Sequence, residues 1–205
     1  MIRKNDIQGF VLAGGKSSRM GRDKARMEMG GMPLVVRTAE LLRPFVREVT
    51  VLGPPERFAD LGFPVIADQW QEVGPLGALC TGLRHSACDW NIFLACDLPL
   101  LSKGFVQLLV DRIQTAACDI VAPRTKDGWH PLCAAYHTCC RTAFEDALAE
   151  KRYSIVALFD RFRVESITTD QWMAAGLDSR ELMNMNTPED WARVTKEFQF
   201  DRRKV

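Results

Sequence analysis

The chain lacks the features that mark several large classes of protein. No apolar run approaches the roughly 20 residues that a bilayer-spanning helix requires, and Met1-Ile2-Arg3-Lys4-Asn5-Asp6 leads into a strand pattern rather than into the apolar core of a signal peptide. The seven cysteines form no C-x-x-C pair and no metal-ligand spacing. Several, such as Cys80 and Cys96, stand inside apolar runs where a reduced thiol packs as a small hydrophobe, so a cytoplasmic location is expected. A broad basic excess is also missing. The formal net charge is +1, which argues against nucleic acid as a partner. No Ser-His-acid or Cys-His set has support as a nucleophilic site, and there is no internal repeat, linker or low-complexity tract.

What remains is an ordinary globular composition, 47% hydrophobic and 26% charged over 205 residues. A chain of this length buries about 70% of its unfolded surface without a disulfide or metal staple, and a single domain over 1–205 is expected. Positive charge gathers in one place, residues 16 to 26, apart from a short Arg202-Arg203-Lys204 tail. A local cluster of that kind suits a small anionic ligand.

The cluster lies in the most informative stretch, Phe10-Val11-Leu12-Ala13-Gly14-Gly15-Lys16-Ser17-Ser18-Arg19-Met20-Gly21-Arg22-Asp23-Lys24, where an apolar strand runs into a glycine-rich cationic loop. Glycines let backbone N–H groups approach an anion closely, so polyphosphate can be cradled before any side chain is used. Arg19 and Lys24 add full charges. The spacing matches neither the Walker loop nor the G-x-G-x-x-G dinucleotide fingerprint.

Short apolar runs alternate with helical patterns through the first two thirds. Strands are expected near 8–12, 48–52, 64–67, 91–96 and 119–122, with helices over 33–42, 75–86 and 102–114, the last capped by Ser102. This alternation predicts an α/β, Rossmann-like three-layer sandwich with a mostly parallel central sheet and helices on both faces. Asp127-Gly128 predicts the turn of an inserted hairpin running through Trp129 to Tyr136. Helices follow near 139–150 and 155–162, then a short strand over 182–186, and Thr187-Pro188-Glu189-Asp190 opens a last helix with Trp191, Val194 and Phe198 as its apolar stripe. Trp172 reads as core.

Two aspartates follow strands. Asp97 ends the buried run Ile92-Phe93-Leu94-Ala95-Cys96, at the carboxyl edge where ligands bind in open α/β sheets. A single carboxylate there serves a hard cation such as Mg2+, which takes its remaining oxygens from phosphates and water. Asp68 follows Pro64-Val65-Ile66-Ala67 and, beside Gly74-Pro75-Leu76-Gly77, forms a lip of the same pocket. The competing readings are a turn aspartate for Asp97 and a solvated loop acid for Asp68. His130, alone before Pro131, reads as structural.

Taken in order, Leu12-Ala13-Gly14-Gly15 through Lys24, Asp68, Gly74-Pro75-Leu76-Gly77, Cys96-Asp97-Leu98-Pro99, His130-Pro131 and Asn184-Met185-Asn186-Thr187-Pro188-Glu189 resemble the MobA-like nucleotidyltransferases over most of the chain, and most closely the guanylyltransferases of molybdenum cofactor synthesis. The resemblance implies transfer of GMP from GTP to the phosphate of molybdopterin, with Mg2+ and release of pyrophosphate. It implies nucleotide contacts from Leu12, Ala13, Gly14, Lys24, Asp68 and Asp97 and metal binding by Asp97; on physical grounds Gly15 is expected to add to the nucleotide cradle, and Arg19, Lys24 and Asp97 with its ion form the expected catalytic set that opposes charge on the α-phosphate and pyrophosphate. Asn184 and Asn186 are implied to face the pterin, with cofactor-delivery proteins or molybdoenzymes as macromolecular partners.

Two departures stand out. Leu52-Gly53-Pro54-Pro55 replaces a segment that carries a nucleotide-contacting asparagine in relatives, and Gly77-Ala78 replaces an Ala-Gly order. Cytidylyl transfer to molybdopterin, nucleotidyl transfer to a sugar phosphate, and a non-catalytic nucleotide- or cofactor-binding protein are the alternatives at this point.

Overall fold

A computed structural model describes residues 2–14, 23–70 and 73–202. Along the chain come β1 (Ile7–Leu12), β2 (Glu28–Met29), β3 (Met32–Pro33), α1 (Leu34–Leu42), β4 (Val49–Leu52), α2 (Pro55–Phe58), β5 (Val65–Ile66), α3 (Pro75–His85) and β6 (Trp90–Ala95). Then follow α4 (Lys103–Thr115), β7 (Ile120–Thr125), β8 (Gly128–Trp129), β9 (Cys133–His137), α5 (Cys140–Ala149), β10 (Val164–Thr168), α6 (Thr169–Ala174) and α7 (Pro188–Arg202). The main sheet is ordered β10-β7-β9-β6-β1-β4-β5, with β8 paired to β7. Neighbours among β6, β1, β4 and β5 pair in parallel, as do β10 and β7. Only β9 and β8 run against them, so the inserted hairpin enters a sheet that is otherwise parallel. Among the described residues no helix is long and apolar enough to cross a membrane.

Strand alternation builds the two cores. Ile7 and Val11 of β1 and Ile92 and Leu94 of β6 pack with α1, α4 and Trp172 on one face. Phe10, Leu12 and Phe93 point the other way, onto Leu76, Leu79 and Leu83 of α3 and Phe144 of α5. Each such side chain contributes about 1.5–3 kcal/mol on burial. A one-residue slip of either strand would exchange its two faces. A third, smaller core joins Met29, Leu34, Met185 and Val194, with Trp191 and Phe198 packed against it, and fixes α7 over the β2-β3 hairpin.

The helix that leads away from Asp68 sits unusually close to the sheet. Phe10 and Phe93 stack at 4.9 Å, and a Cβ built at Gly82 of α3 would lie 2.5 Å from the Phe93 ring. Glycine is needed there to let the backbone of α3 rest on the stack. At the other end of α3, Gly74 has φ +78°, a conformation that turns the chain into Pro75 at the start of the helix.

Several elements differ from expectation. Pro33 belongs to β3 and precedes α1 rather than opening it. The segment over 155–162 is a 3-10 helix, Val156–Arg161. The expected strand over 182–186 pairs with no strand: it follows a turn closed by the Met183 N–H on the Arg180 carbonyl, and the Met185 N–H bonds the Asp97 carbonyl at 3.0 Å. Unforeseen are β10, which adds to β7 at the sheet edge, and α6, whose Thr168 and Gln171 form a reciprocal cap. Trp172 is fully buried, as expected of a core residue.

Gly82→Ala forces methyl against ring and is expected to destabilise the fold by about 1–3 kcal/mol, as read from the urea midpoint. An unchanged midpoint would contradict the close α3-sheet contact.

Candidate functional site

Register decides where the strand-end residues fall. Leu12 of β1 is level with Leu52 of β4 and Ala95 of β6, and Leu52 is level with Ile66 of β5. The ladder continues one step beyond this row: Ala13 N–H bonds the Leu52 carbonyl at 3.0 Å, Gly53 N–H the Ile66 carbonyl at 3.0 Å, and Cys96 N–H the Leu12 carbonyl at 3.3 Å. Gly14, Asp68 and Asp97 each stand two residues past the row and so share one rim. Strands pack about 4.8 Å apart, so the three intervals from β5 to β6 separate the two aspartate-bearing strand ends by about 14 Å. Two carboxylates that far apart cannot share one cation. They can meet opposite ends of an extended ligand.

Asp97 is half-buried, and burial pushes its carboxyl pKa up while the positive charge of Lys24 pulls it back down. Lys24 Nζ also donates to Asn186 Oδ1 at 3.0 Å. The Met185 N–H bond to the Asp97 carbonyl brings the same segment to the same place from the other side. Met185 is buried, while Asn184 and Asn186, its alternate neighbours, are exposed. Three positions scattered through the sequence, Lys24, Asp97 and Asn186, thus converge.

Lys24 itself is held by a charged anchor that sequence reasoning missed. It opens a short 3-10 turn, Lys24–Arg26. Asp23 caps the turn by accepting the Ala25 N–H at 3.2 Å, and its other oxygen accepts Arg57 Nε at 3.0 Å. Arg26 reaches Asp60 and the Arg57 carbonyl. Arg57 lies on α2, directly after Gly53-Pro54-Pro55, so the departure at this segment coincides with a fastening for the Lys24 turn. A side chain at Gly53 would meet the Phe58 ring at 2.8 Å, which excludes asparagine there without rearrangement.

Asp68 has a structural duty as well. Its Oδ1 accepts the Trp70 N–H at 3.0 Å and lies 3.0 Å from Thr81 Oγ1 on α3. Thr81 Oγ1 in turn accepts the Gln69 N–H at 3.0 Å. This Asx-type turn aims the acid and ties its loop to the helix. Thr81 was not singled out from sequence because its partners lie a dozen residues away.

Leu12 and Ala13 are buried, so any ligand contact there falls to their backbone. Gly14 is exposed, and a Cβ added to it would meet no described atom within 4 Å. Gly15 and Arg19, together with the charge cluster over 16–22, lie outside the described residues. His130 is half-buried in the hairpin, with Nε2 3.1 Å from Thr125 Oγ1, and burial lowers its pKa, as befits a neutral structural imidazole.

No cluster of three His, Cys, Asp or Glu side chains able to hold a metal occurs among the described residues. At this rim Asp97 is the carboxylate that faces Lys24, a single hard oxygen donor. That fits a Mg2+-like ion, which keeps waters and takes phosphate oxygens, and does not fit a fully protein-caged metal.

A family profile described as the MobA-like NTP transferase domain matches residues 9–165. A molybdenum cofactor guanylyltransferase from Serratia proteamaculans is 30% identical over 198 residues, covering 94% of this chain and 95% of its own. Among solved structures, molybdopterin-guanine dinucleotide biosynthesis protein A from Archaeoglobus fulgidus superposes with a TM-score of 0.79 at 23% identity, covering 97% of this chain and all of its own. A Mycobacterium tuberculosis protein of the same fold, solved as a complex with manganese, gives a TM-score of 0.64 at 16% identity, covering 94% and 99% of the two chains.

Removing the Lys24 charge leaves burial to act on Asp97 alone. In Lys24→Met the Asp97 carboxyl is expected to titrate at higher pH than in the parent protein, followed by carboxyl carbon NMR without metal or nucleotide. An unmoved titration would mean that the two charges do not face each other.

Proposed function

The chain belongs to the MobA-like NTP transferase family, and from that premise we propose that it transfers GMP from GTP to the phosphate of molybdopterin, forming molybdopterin guanine dinucleotide and pyrophosphate. The observation that carries this reading is the convergence of Lys24, Asp97 and Asn186 at the rim that also bears Gly14 and Asp68. A molybdenum cofactor guanylyltransferase at 30% identity across nearly the whole of both chains supports the choice of substrates.

The chemistry asks for no protein nucleophile. An oxygen of the acceptor phosphate attacks the α-phosphorus of GTP, the bond to the bridging oxygen breaks, and pyrophosphate leaves with that electron pair. The protein must hold two anions in line and oppose the charge that develops on the α-phosphate and leaving group. In this reading the triphosphate lies along the loop that follows β1, where backbone N–H groups from Gly14 and Gly15 with Arg19 and Lys24 meet its charge. Asp68 faces the nucleoside end, and Asn184 and Asn186 face the acceptor.

Asp97 would hold a divalent ion, Mg2+ in the cell, which when bound supplies electrostatic stabilisation of the phosphates. The manganese complex of a protein with the same fold is in keeping with divalent metal use. Lys24, placed between Asp97 and Asn186, orients the triphosphate relative to the acceptor. All seven cysteines are free thiols, in keeping with work in a reducing cytoplasm. The whole activity is assigned to one domain over 1–205, with delivery proteins or molybdoenzymes as recipients of the product.

Two measurements test this. With molybdopterin as acceptor, pyrophosphate release from GTP is expected to exceed that from CTP by at least about tenfold in kcat/KM; a preference for CTP would make the enzyme a cytidylyltransferase, and nucleotide binding without turnover would make it a binding protein. Asp97→Ala is expected to keep the melting temperature within a few degrees while reducing metal-dependent turnover by at least about 100-fold. Undiminished activity in that variant would remove Asp97 from the site.

A further inference from the structure

The two loops that meet at Asp97 are joined a second time by a buried acid. Glu181 is 3% exposed. Its Oε2 accepts the Ser102 N–H and its Oε1 accepts the Ser102 hydroxyl, each at 2.7 Å. Ser102 already caps α4 through its own oxygen, which accepts the Phe105 N–H at 3.2 Å. The helix therefore has its side-chain cap without Glu181. What Glu181 adds is a tie between segments 79 residues apart in sequence.

The position of that tie is informative. The chain leaves Asp97 and reaches Ser102 at the start of α4, while the other segment leaves Glu181 and reaches Met185, whose N–H returns to the Asp97 carbonyl at 3.0 Å. The two segments are thus fastened at both ends, Glu181 to Ser102 and Met185 to Asp97. Between and beyond these fastenings stand Asn184 and Asn186. On the far side Asp190 accepts the N–H groups of Asn186 and Thr187 at 2.9 and 3.0 Å, so the asparagine-bearing loop is held from three directions. Burying a carboxylate is costly unless its bonds are well made, and both oxygens of Glu181 are directed at one residue of the loop that carries Asp97.

We propose that Glu181 is a positioning residue for the acceptor: through Ser102 it holds the Asn184–Asn186 segment at a fixed distance from Asp97, and touches neither reactant itself. This deepens the functional reading above and rests on it, the acceptor being a phosphomonoester presented by that segment.

The test uses the full chain in steady-state kinetics with GTP and molybdopterin, beside amide hydrogen exchange of the Met185 N–H. Glu181→Ala is expected to lower kcat/KM for molybdopterin by about tenfold to a hundredfold, as for a displacement near 1 Å at a reacting centre. The KM for GTP should change less than that for molybdopterin, because the Lys24 turn keeps its own fastening through Asp23 and Arg57. Met185 exchange should quicken by about tenfold, because its bond to Asp97 opens locally. Glu181→Gln, which keeps an oxygen acceptor for Ser102, should restore most of both effects. Ser154→Ala removes the bond to the Ala157 N–H at the start of the 3-10 helix Val156–Arg161, whose buried side chains pack on the opposite face of the sheet from α4, and should change neither.

Should Glu181→Ala fail to fold, Ser102→Ala removes the hydroxyl bond to Glu181 together with the cap on the Phe105 N–H, keeps the Ser102 N–H bond to Glu181, and should give a smaller loss of the same kind. Unaltered acceptor kinetics and exchange in a folded Glu181 or Ser102 variant, or an equal loss in Ser154→Ala, would overturn the proposal. Absence of turnover in the parent protein would instead defeat the functional reading, and the exchange rates would still decide whether Glu181 fixes the loop.

Discussion

Leu12, Leu52, Ile66 and Ala95 stand in one hydrogen-bonded row across β1, β4, β5 and β6, and the chain beyond that row emerges at a single rim. Everything at the site depends on that row. It is held by side chains whose alternation commits each strand to two cores, so a slip by one residue would turn Phe10 and Phe93 away from α3 toward the face covered by α1 and α4, and would withdraw Asp97 from the rim. Packing energy distributed over many apolar contacts is in this way converted into the placement of one carboxylate. Because β1, β4, β5 and β6 all run the same way, the rim also collects Gly14 and Asp68, a row of strand ends long enough for an extended anion.

Electrostatics at that edge are balanced rather than extreme. Burial raises the cost of charge on Asp97, and Lys24 offsets it in part. Lys24 is in turn kept near by a fastening of opposite charges, Asp23 to Arg57 and Arg26 to Asp60, that belongs to the turn and to α2 rather than to any ligand. A group transfer between two phosphates needs just such a setting: fixed positive charge close to a carboxylate able to take a hard cation, with no side chain required to attack. Burial holds Cys96, beside Asp97, up at about 12, and Cys80 likewise, so neither offers a thiolate near neutral pH.

Legibility of the molecule from its sequence followed the range of the interactions. Strands such as 91–96 and helices such as 75–86 were readable because their periodicity is local, and Asp97 was readable because it ends an apolar run before a proline. The stretch Leu182-Met183-Asn184-Met185-Asn186 has the alternation of a strand, yet its backbone bonds a loop, and no local pattern distinguishes the two. The edge strand β10, Val164-Glu165-Ser166-Ile167-Thr168, is only half-buried and so carries a weak apolar signal. Glu181 was invisible for a different reason: an acid in a polar segment reads as solvated unless its partner, far away in sequence, is known. The same holds for Thr81 with Asp68 and for Arg57 with Asp23. The family resemblance named the residues expected to face the ligand, whereas the residues that hold them in place became apparent only in three dimensions.

The central claim is that a triphosphate is pinned at this rim between the loop after β1 and a divalent ion on Asp97. Anomalous diffraction from crystals grown with Mn2+ and a non-hydrolysable GTP analogue tests it most directly. The account predicts a manganese peak about 2.1 Å from an Asp97 carboxylate oxygen, as for a hard six-coordinate ion, with phosphates beside Lys24 and the guanosine toward Asp68. A manganese peak away from Asp97, with the nucleotide bound elsewhere on the protein, would contradict it.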